Sequence, residues 1–141
     1  MAYHIEHEAQ CGRFKVKLTG TAAVGLMASI PNPEGVRLLV TRAFLYFDTP
    51  AAGAAQLHMG VGAADADSHD IVDGLTLNKT AYLCYQLIGG PVQVHASDFA
   101  LVAPVAVVWE ADTFLNFTTD TVISTAFVGY LFVEYTRLVN D

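Results

Sequence analysis

An all-β antiparallel sandwich is the fold class this sequence predicts, on three observations. Apolar and polar residues alternate with period two over much of the chain. The runs that alternate are rich in β-branched and aromatic residues, which suit a pleated, half-buried surface. Clusters of Gly, Pro, Asp and Asn punctuate those runs at short spacing. No stretch of ten or more residues combines a 3.6-residue period with helix caps.

The first run, "RFKVKL", sets Phe14, Val16 and Leu18 against Arg13, Lys15 and Lys17. "GTAAVGLMASI" is the one weak helical candidate, and Gly25 inside it argues against a helix. "GVRLLVTRAFLYFD" is long and mostly apolar, which predicts one strand with a bulge or bend, buried over much of both faces. "QLHMGV" directs Leu57, Met59 and Val61 inward against Gln56, His58 and Gly60. "AYLCYQLI", "VQVHA", "FLNFTT" and "FVGYLFVEYTRL" are further strands. In "LVAPVAVVW", Pro104 implies an edge, a bulge or a break between two short strands. The turns are "PNPEG", "DTPAAGAA", "ADADSHD", "VDG", "IGGP", "EADT" and "TTDT". About eight strands so spaced favour jelly-roll topology in a single domain over residues 13–141, preceded by an N-terminal arm over 1–12.

Charge and hydropathy narrow the function. Seven Lys and Arg against fourteen Asp and Glu leave a formal charge of −7, the wrong balance for neutralising phosphates, so no direct nucleic-acid partner is expected. The N-terminus has no apolar segment of the signal-peptide kind, and the longest nearly apolar run, residues 99–109, is far short of the ~20 a membrane helix needs. The chain is expected to be soluble, off the membrane and made in a cytoplasm, with Cys11 and Cys84 reduced. Charged residues are 15% of the chain, against about 25% in ordinary soluble domains, while 53% is hydrophobic. A small domain cannot hide that much apolar surface inside itself, so copies or partners must cover the surplus.

The acidic stretch "GAADADSHDIVDG" invites a metal reading, with Asp65, Asp67 and Asp70 as calcium candidates. It fails as an EF-hand loop: His69 and Asp70 stand where an oxygen ligand and a glycine belong, Thr76 replaces the bidentate Glu, and no helix flanks it. A polar hairpin loop is the simpler reading. "HIEHE" sets His4 and His7 three apart, which suits neither a zinc helix nor a zinc finger. His58 and His95 lie on expected strands and are assigned to solvent or an interface. No His-x-His pair of the cupin kind occurs. Ser29, Ser68, Ser97 and Ser124 lack a nucleophile setting, and Glu110 with Asp112 reads as a solvated turn. No catalytic residue and no cofactor is expected. Phe44, Tyr46, Trp109, Tyr130 and Phe132 would make a sugar-stacking platform if exposed, but on period-two strands they read as core.

"NPEGVRLLVTRAFLYFDTPAAGAAQLHMGVG", the acidic loop with "VDGLTL", and "FLNFTTDTVISTAFVGYLFVEYTRL" together resemble small structural proteins of tailed bacteriophages. The nearest group is the jelly-roll cement, or decoration, proteins of icosahedral capsids. That resemblance implies a non-enzymatic virion protein on the capsid exterior, synthesised in the host bacterial cytoplasm. Its partners would be the major capsid protein and its own copies, as a homodimer rather than a trimer. Interface residues are expected among His4, His7, Phe14, Trp109 and Tyr135. The alternative is a carbohydrate-binding or receptor-binding sandwich from a phage fibre or tail.

Overall fold

Alternating side chains give each strand an apolar and a polar face, and two sheets result, packed apolar face to apolar face. The computed structural model describes residues 11–89, 104–120 and 122–138. Among these the chain forms nine strands: β1 (Cys11–Thr19), β2 (Gly25–Pro31), β3 (Leu38–Thr49), β4 (Gln56–Gly62), β5 (Val72–Thr76), β6 (Cys84–Ile88), β7 (Val107–Trp109), β8 (Phe114–Asp120) and β9 (Val128–Arg137). The first sheet runs β1-β9-β3-β6, with β7 also on β3; the second runs β2-β8-β4-β5. All pairs are antiparallel. Successive strands cross from sheet to sheet except at β4–β5 and β6–β7, which is the jelly-roll arrangement.

The core lies between the sheets. Leu18, Leu38, Leu45, Phe47, Leu57, Met59, Phe117 and Leu131 are wholly buried there. Phe47 meets Tyr85 at 5.1 Å and Phe127 edge-on at 5.2 Å between ring centroids.

Several expectations change. "GTAAVGLMASI" supplies strand β2, because Leu26 to Pro31 pairs with β8. The long apolar run is buried on one face only: its register slips between Val40 and Arg42 and again between Phe47 and Thr49, and Phe44 and Tyr46 turn outward. "VDG" is the start of β5 rather than a turn. Pro104 precedes the short edge strand β7, and its carbonyl accepts from Gly89 N–H at 2.9 Å. Residues 11 and 12 of the expected arm belong to β1, while residues 1–10 and "VQVHA" lie outside the described residues. Among the described residues no helix is long and apolar enough to cross a membrane.

A partly buried polar contact closes the end of the first sheet. Tyr135 Oη donates to Glu34 Oε2 at 2.6 Å, and Glu34 Oε1 stands 3.2 Å from Arg137 Nε. Burial and the neighbouring Glu34 carboxylate push the phenol up to about 12. A raised folded-state value means that the neutral phenol favours the fold. That contribution is complete below the ordinary value of 10.0 and disappears as pH rises toward about 12. Tyr135→Phe is expected to cost about 1.5 kcal/mol at neutral pH. It should also flatten the alkaline loss of stability, read from urea unfolding between those two pH values.

Candidate functional site

The outward face of the first sheet gathers charge and aromatic rings in rows. Strand register places Arg13, Glu134 and Arg42 across one row, then Lys15, Phe132, Phe44 and Gln86, then Lys17, Tyr130, Tyr46 and Cys84. Phe44 and Phe132 stack at 4.8 Å, 13° from parallel. Arg42 lies 5.2 Å from the Phe44 ring centre and Lys15 lies 5.5 Å from that of Tyr130. Arg13, Lys15, Lys17 and Arg42 are exposed, so four of the seven cations of an acidic chain share one surface. The four aromatic residues are half-buried, and among the described residues no second layer covers them. Fully burying one such ring is worth about 1.5–3 kcal/mol, a gain the described residues leave partly unrealised.

The second sheet presents a different outer face. There the hairpin between β4 and β5, the acidic stretch of the sequence, folds back over the strands instead of standing in solvent. Asn116 Nδ2 donates to Ala63 O at 2.8 Å, and Asp70 Oδ1 accepts from Val61 N–H at 3.2 Å. Ser29 Oγ donates to Asn116 Oδ1 at 2.6 Å, and Thr118 Oγ1 donates to Asp67 Oδ1 at 2.7 Å. Gly60 makes room for this, since a Cβ there would run into Asp70 Oδ1 and the Ser68 side chain. Asp65 takes a left-handed φ of 63° to turn the loop.

Beneath the loop the two histidines meet. The rings of His58 on β4 and His69 on the loop have centroids 4.0 Å apart. Asp73 Oδ1 stands 3.1 Å from His58 Nδ1 and 2.9 Å from His69 Nδ1. Asp120 Oδ1 faces His58 Nε2 at 3.2 Å, and Asp67 Oδ1 faces His69 Nε2 at 2.9 Å. Donation to the Asp73 carboxylate raises His69, and in turn His69 lowers Asp73; Asp67 is lowered first by the Thr118 hydroxyl and then by His69. His58 is buried, so its assignment to solvent or an interface is corrected by the loop that covers it.

The other site expectations divide. Trp109 is wholly buried, Tyr135 is buried, and Phe14 packs inward against both, at 6.2 and 6.3 Å between ring centres. None of the three lies on an open surface, because strand order turns their faces toward the other sheet. His4, His7 and His95 lie outside the described residues. Of the calcium candidates, Asp70 holds a backbone amide and Asp67 holds Thr118 and His69, so they do not converge with Asp65 on one point. Glu110 and Asp112 form a turn, with Glu110 Oε2 2.9 Å from Arg37 Nε. Cys11 and Cys84 are free and exposed. Partial desolvation pushes the Cys84 thiol up, away from the thiolate a nucleophile needs. Phe44, Tyr46, Tyr130 and Phe132 face outward together, where the sequence pattern read them as core. Their spacing at i and i+2 on two strands was the available signal.

No protein-family model and no curated protein matches the chain. Among solved structures it is similar to a chain described as "Cyanophage Pam1 capsid asymmetric unit", with a TM-score of 0.48 and 15% identity over 97% of this chain and 93% of that one. At that identity no residue role passes from one chain to the other.

Proposed function

We propose that the chain is a structural protein of a tailed-phage virion, a cement or decoration protein on the capsid exterior that binds neighbouring major capsid subunits. The carrying observation is the outward face of the first sheet, where stacked Phe44 and Phe132 and paired Tyr46 and Tyr130 lie among Arg13, Lys15, Lys17 and Arg42. Aromatic rings flanked by arginine have the composition of interface hot spots. The sequence resemblance supports the same reading, and so does a composition too apolar for an isolated domain.

Charge selects the occupant. Two copies pressed together through this face would oppose four cations to four cations, offset among the described residues by Glu134 between Arg13 and Arg42 and by Asp48 beside Tyr46. The face therefore suits an acidic partner surface, and self-association falls to the open edge strand β2, where Leu26 is exposed. Bound only to the assembled shell, each copy adds its binding free energy to that state.

Sedimentation with shells of the phage that encodes the chain tests this. The wild-type protein is expected to co-sediment and to raise the melting temperature of the shell, with binding that weakens as salt rises. Phe44→Asp with Phe132→Asp is expected to weaken binding at least tenfold, roughly the loss of one hot spot, with the chain's own fold intact. Failure of the wild-type chain to bind at low salt would sink the cement reading. The exposed ring platform also favours one second reading, glycan binding. Saturable binding to a glycan array, lost on Tyr46→Ala or Tyr130→Ala, would put that reading first.

A further inference from the structure

We propose that His58, His69 and Asp73 form a binding site for one divalent transition-metal ion of the zinc kind, with Asp120 and Asp67 orienting the two imidazoles. A ligand atom from each of the three residues lies within 4.8 Å of the others. The spans from Asp73 Oδ1 to the two Nδ1 atoms are 3.1 and 2.9 Å. Adjacent ligands around a tetrahedral zinc with bonds of about 2.05 Å stand about 3.3 Å apart, so small shifts admit an ion at the meeting point. The remaining nitrogens are arranged as the second layer of a zinc site requires. Each Nε2 faces a carboxylate, Asp120 for His58 and Asp67 for His69, so with an ion in place of the proton between Nδ1 and Asp73 each imidazole would keep its remaining N–H directed at a carboxylate. Thr118 holds Asp67 in place.

An independent observation comes from His58 itself. Its side chain is only 5% exposed, yet neither ring nitrogen completes a hydrogen bond, although carboxylate oxygens stand close to both. A buried imidazole whose nitrogens lack aligned partners is costly, and coordination would satisfy it. Asp73 is 71% exposed, so a fourth position opens to water. Two nitrogen donors select zinc, cobalt or nickel over calcium and magnesium, which prefer all-oxygen shells. The ion would tie the acidic loop to β4 and β5. This inference does not depend on the capsid reading.

Calorimetric titration of the chelator-treated full chain with Zn²⁺ at neutral pH tests the site. One ion per chain and a melting temperature raised by about 5 °C or more are expected at saturation. Ca²⁺ and Mg²⁺ should give neither effect, and Co²⁺ should give the intense visible absorption of a four-coordinate ion. His69→Ala and the isosteric Asp73→Asn, both at exposed positions, should each weaken binding more than tenfold, while Asp65→Ala and the His4→Ala/His7→Ala pair leave it unchanged. Absence of heat and of a melting shift at excess zinc overturns the proposal. So does zinc binding that survives both His69→Ala and Asp73→Asn, or that vanishes with His4 and His7.

Discussion

Trp109→Ala is expected to lower unfolding free energy by about 3–5 kcal/mol, measured by denaturant titration, the range for removing a large aromatic side chain from a packed interior. The indole is wholly enclosed. Its Nε1–H donates to Thr113 O at 3.1 Å, and its backbone pairs with Leu38. Phe14 lies tilted against it at 6.2 Å. Substitution therefore opens a cavity between β1, β3 and β7 and leaves a carbonyl without its donor. Trp109→Phe keeps most of the volume and should cost less, about 1–2 kcal/mol. A tryptophan serving as a surface stacking platform would behave in the opposite way, with ligand binding lost and stability almost unchanged. A measured loss under about 1 kcal/mol would contradict the buried placement.

Gly20→Ala is expected to be nearly as damaging, at about 3 kcal/mol or more, because the added methyl group meets backbone rather than a flexible side chain. A Cβ at this position would overlap Ser124 O. Three short contacts bind the same region: Gly20 N–H to Phe127 O at 2.8 Å, Phe127 N–H to Ser124 O at 3.1 Å, and Thr21 N–H to Ser124 Oγ at 2.9 Å. Moving Ser124 strains all of them and displaces Phe127, which packs edge-on against Phe47 in the core. Ser124→Ala is the control. It removes one acceptor without a clash and should cost about 1 kcal/mol. Equal losses for the two variants in thermal unfolding would show that the hydrogen bond, and not the close approach, is what matters at this corner.

Strand positions were largely legible because side-chain alternation is a local property. "RFKVKL" becomes β1 and the closing "FVGYLFVEYTRL" becomes β9, each with alternating burial, while "FLNFTT" becomes β8, buried on both faces from Leu115 to Thr119. Alternation failed where both sets of side chains were apolar. In "RAFLYFD" it separates Phe44 and Tyr46 from Leu45 and Phe47 without saying which pair faces the other sheet. The same ambiguity hid the outward aromatic face, since four aromatics at strand spacing fit a core as well as a surface. β2 was missed because the alanines of "GTAAVGLMASI" favour a helix over a strand and Gly25 favours neither; its pairing with β8 decides the matter.

The histidine cluster was illegible for another reason. His58, His69, Asp73 and Asp120 come from two strands, a loop and a strand end, and no spacing rule links them. They meet because β4 lies between β5 and β8 and the loop closes over that seam.

By itself, then, the sequence determined an all-β chain, its strand and turn rhythm, and a shortage of charge that calls for a covered surface, because these follow from composition and nearest-neighbour pattern. Only the tertiary structure decided which face of each strand is the inside, which cations share a surface with which rings, and which imidazoles stand over which carboxylates. Those outcomes depend on pairings between residues up to 125 positions apart, such as Cys11 with Thr136, and contacts at that range leave no local trace in the order of the residues.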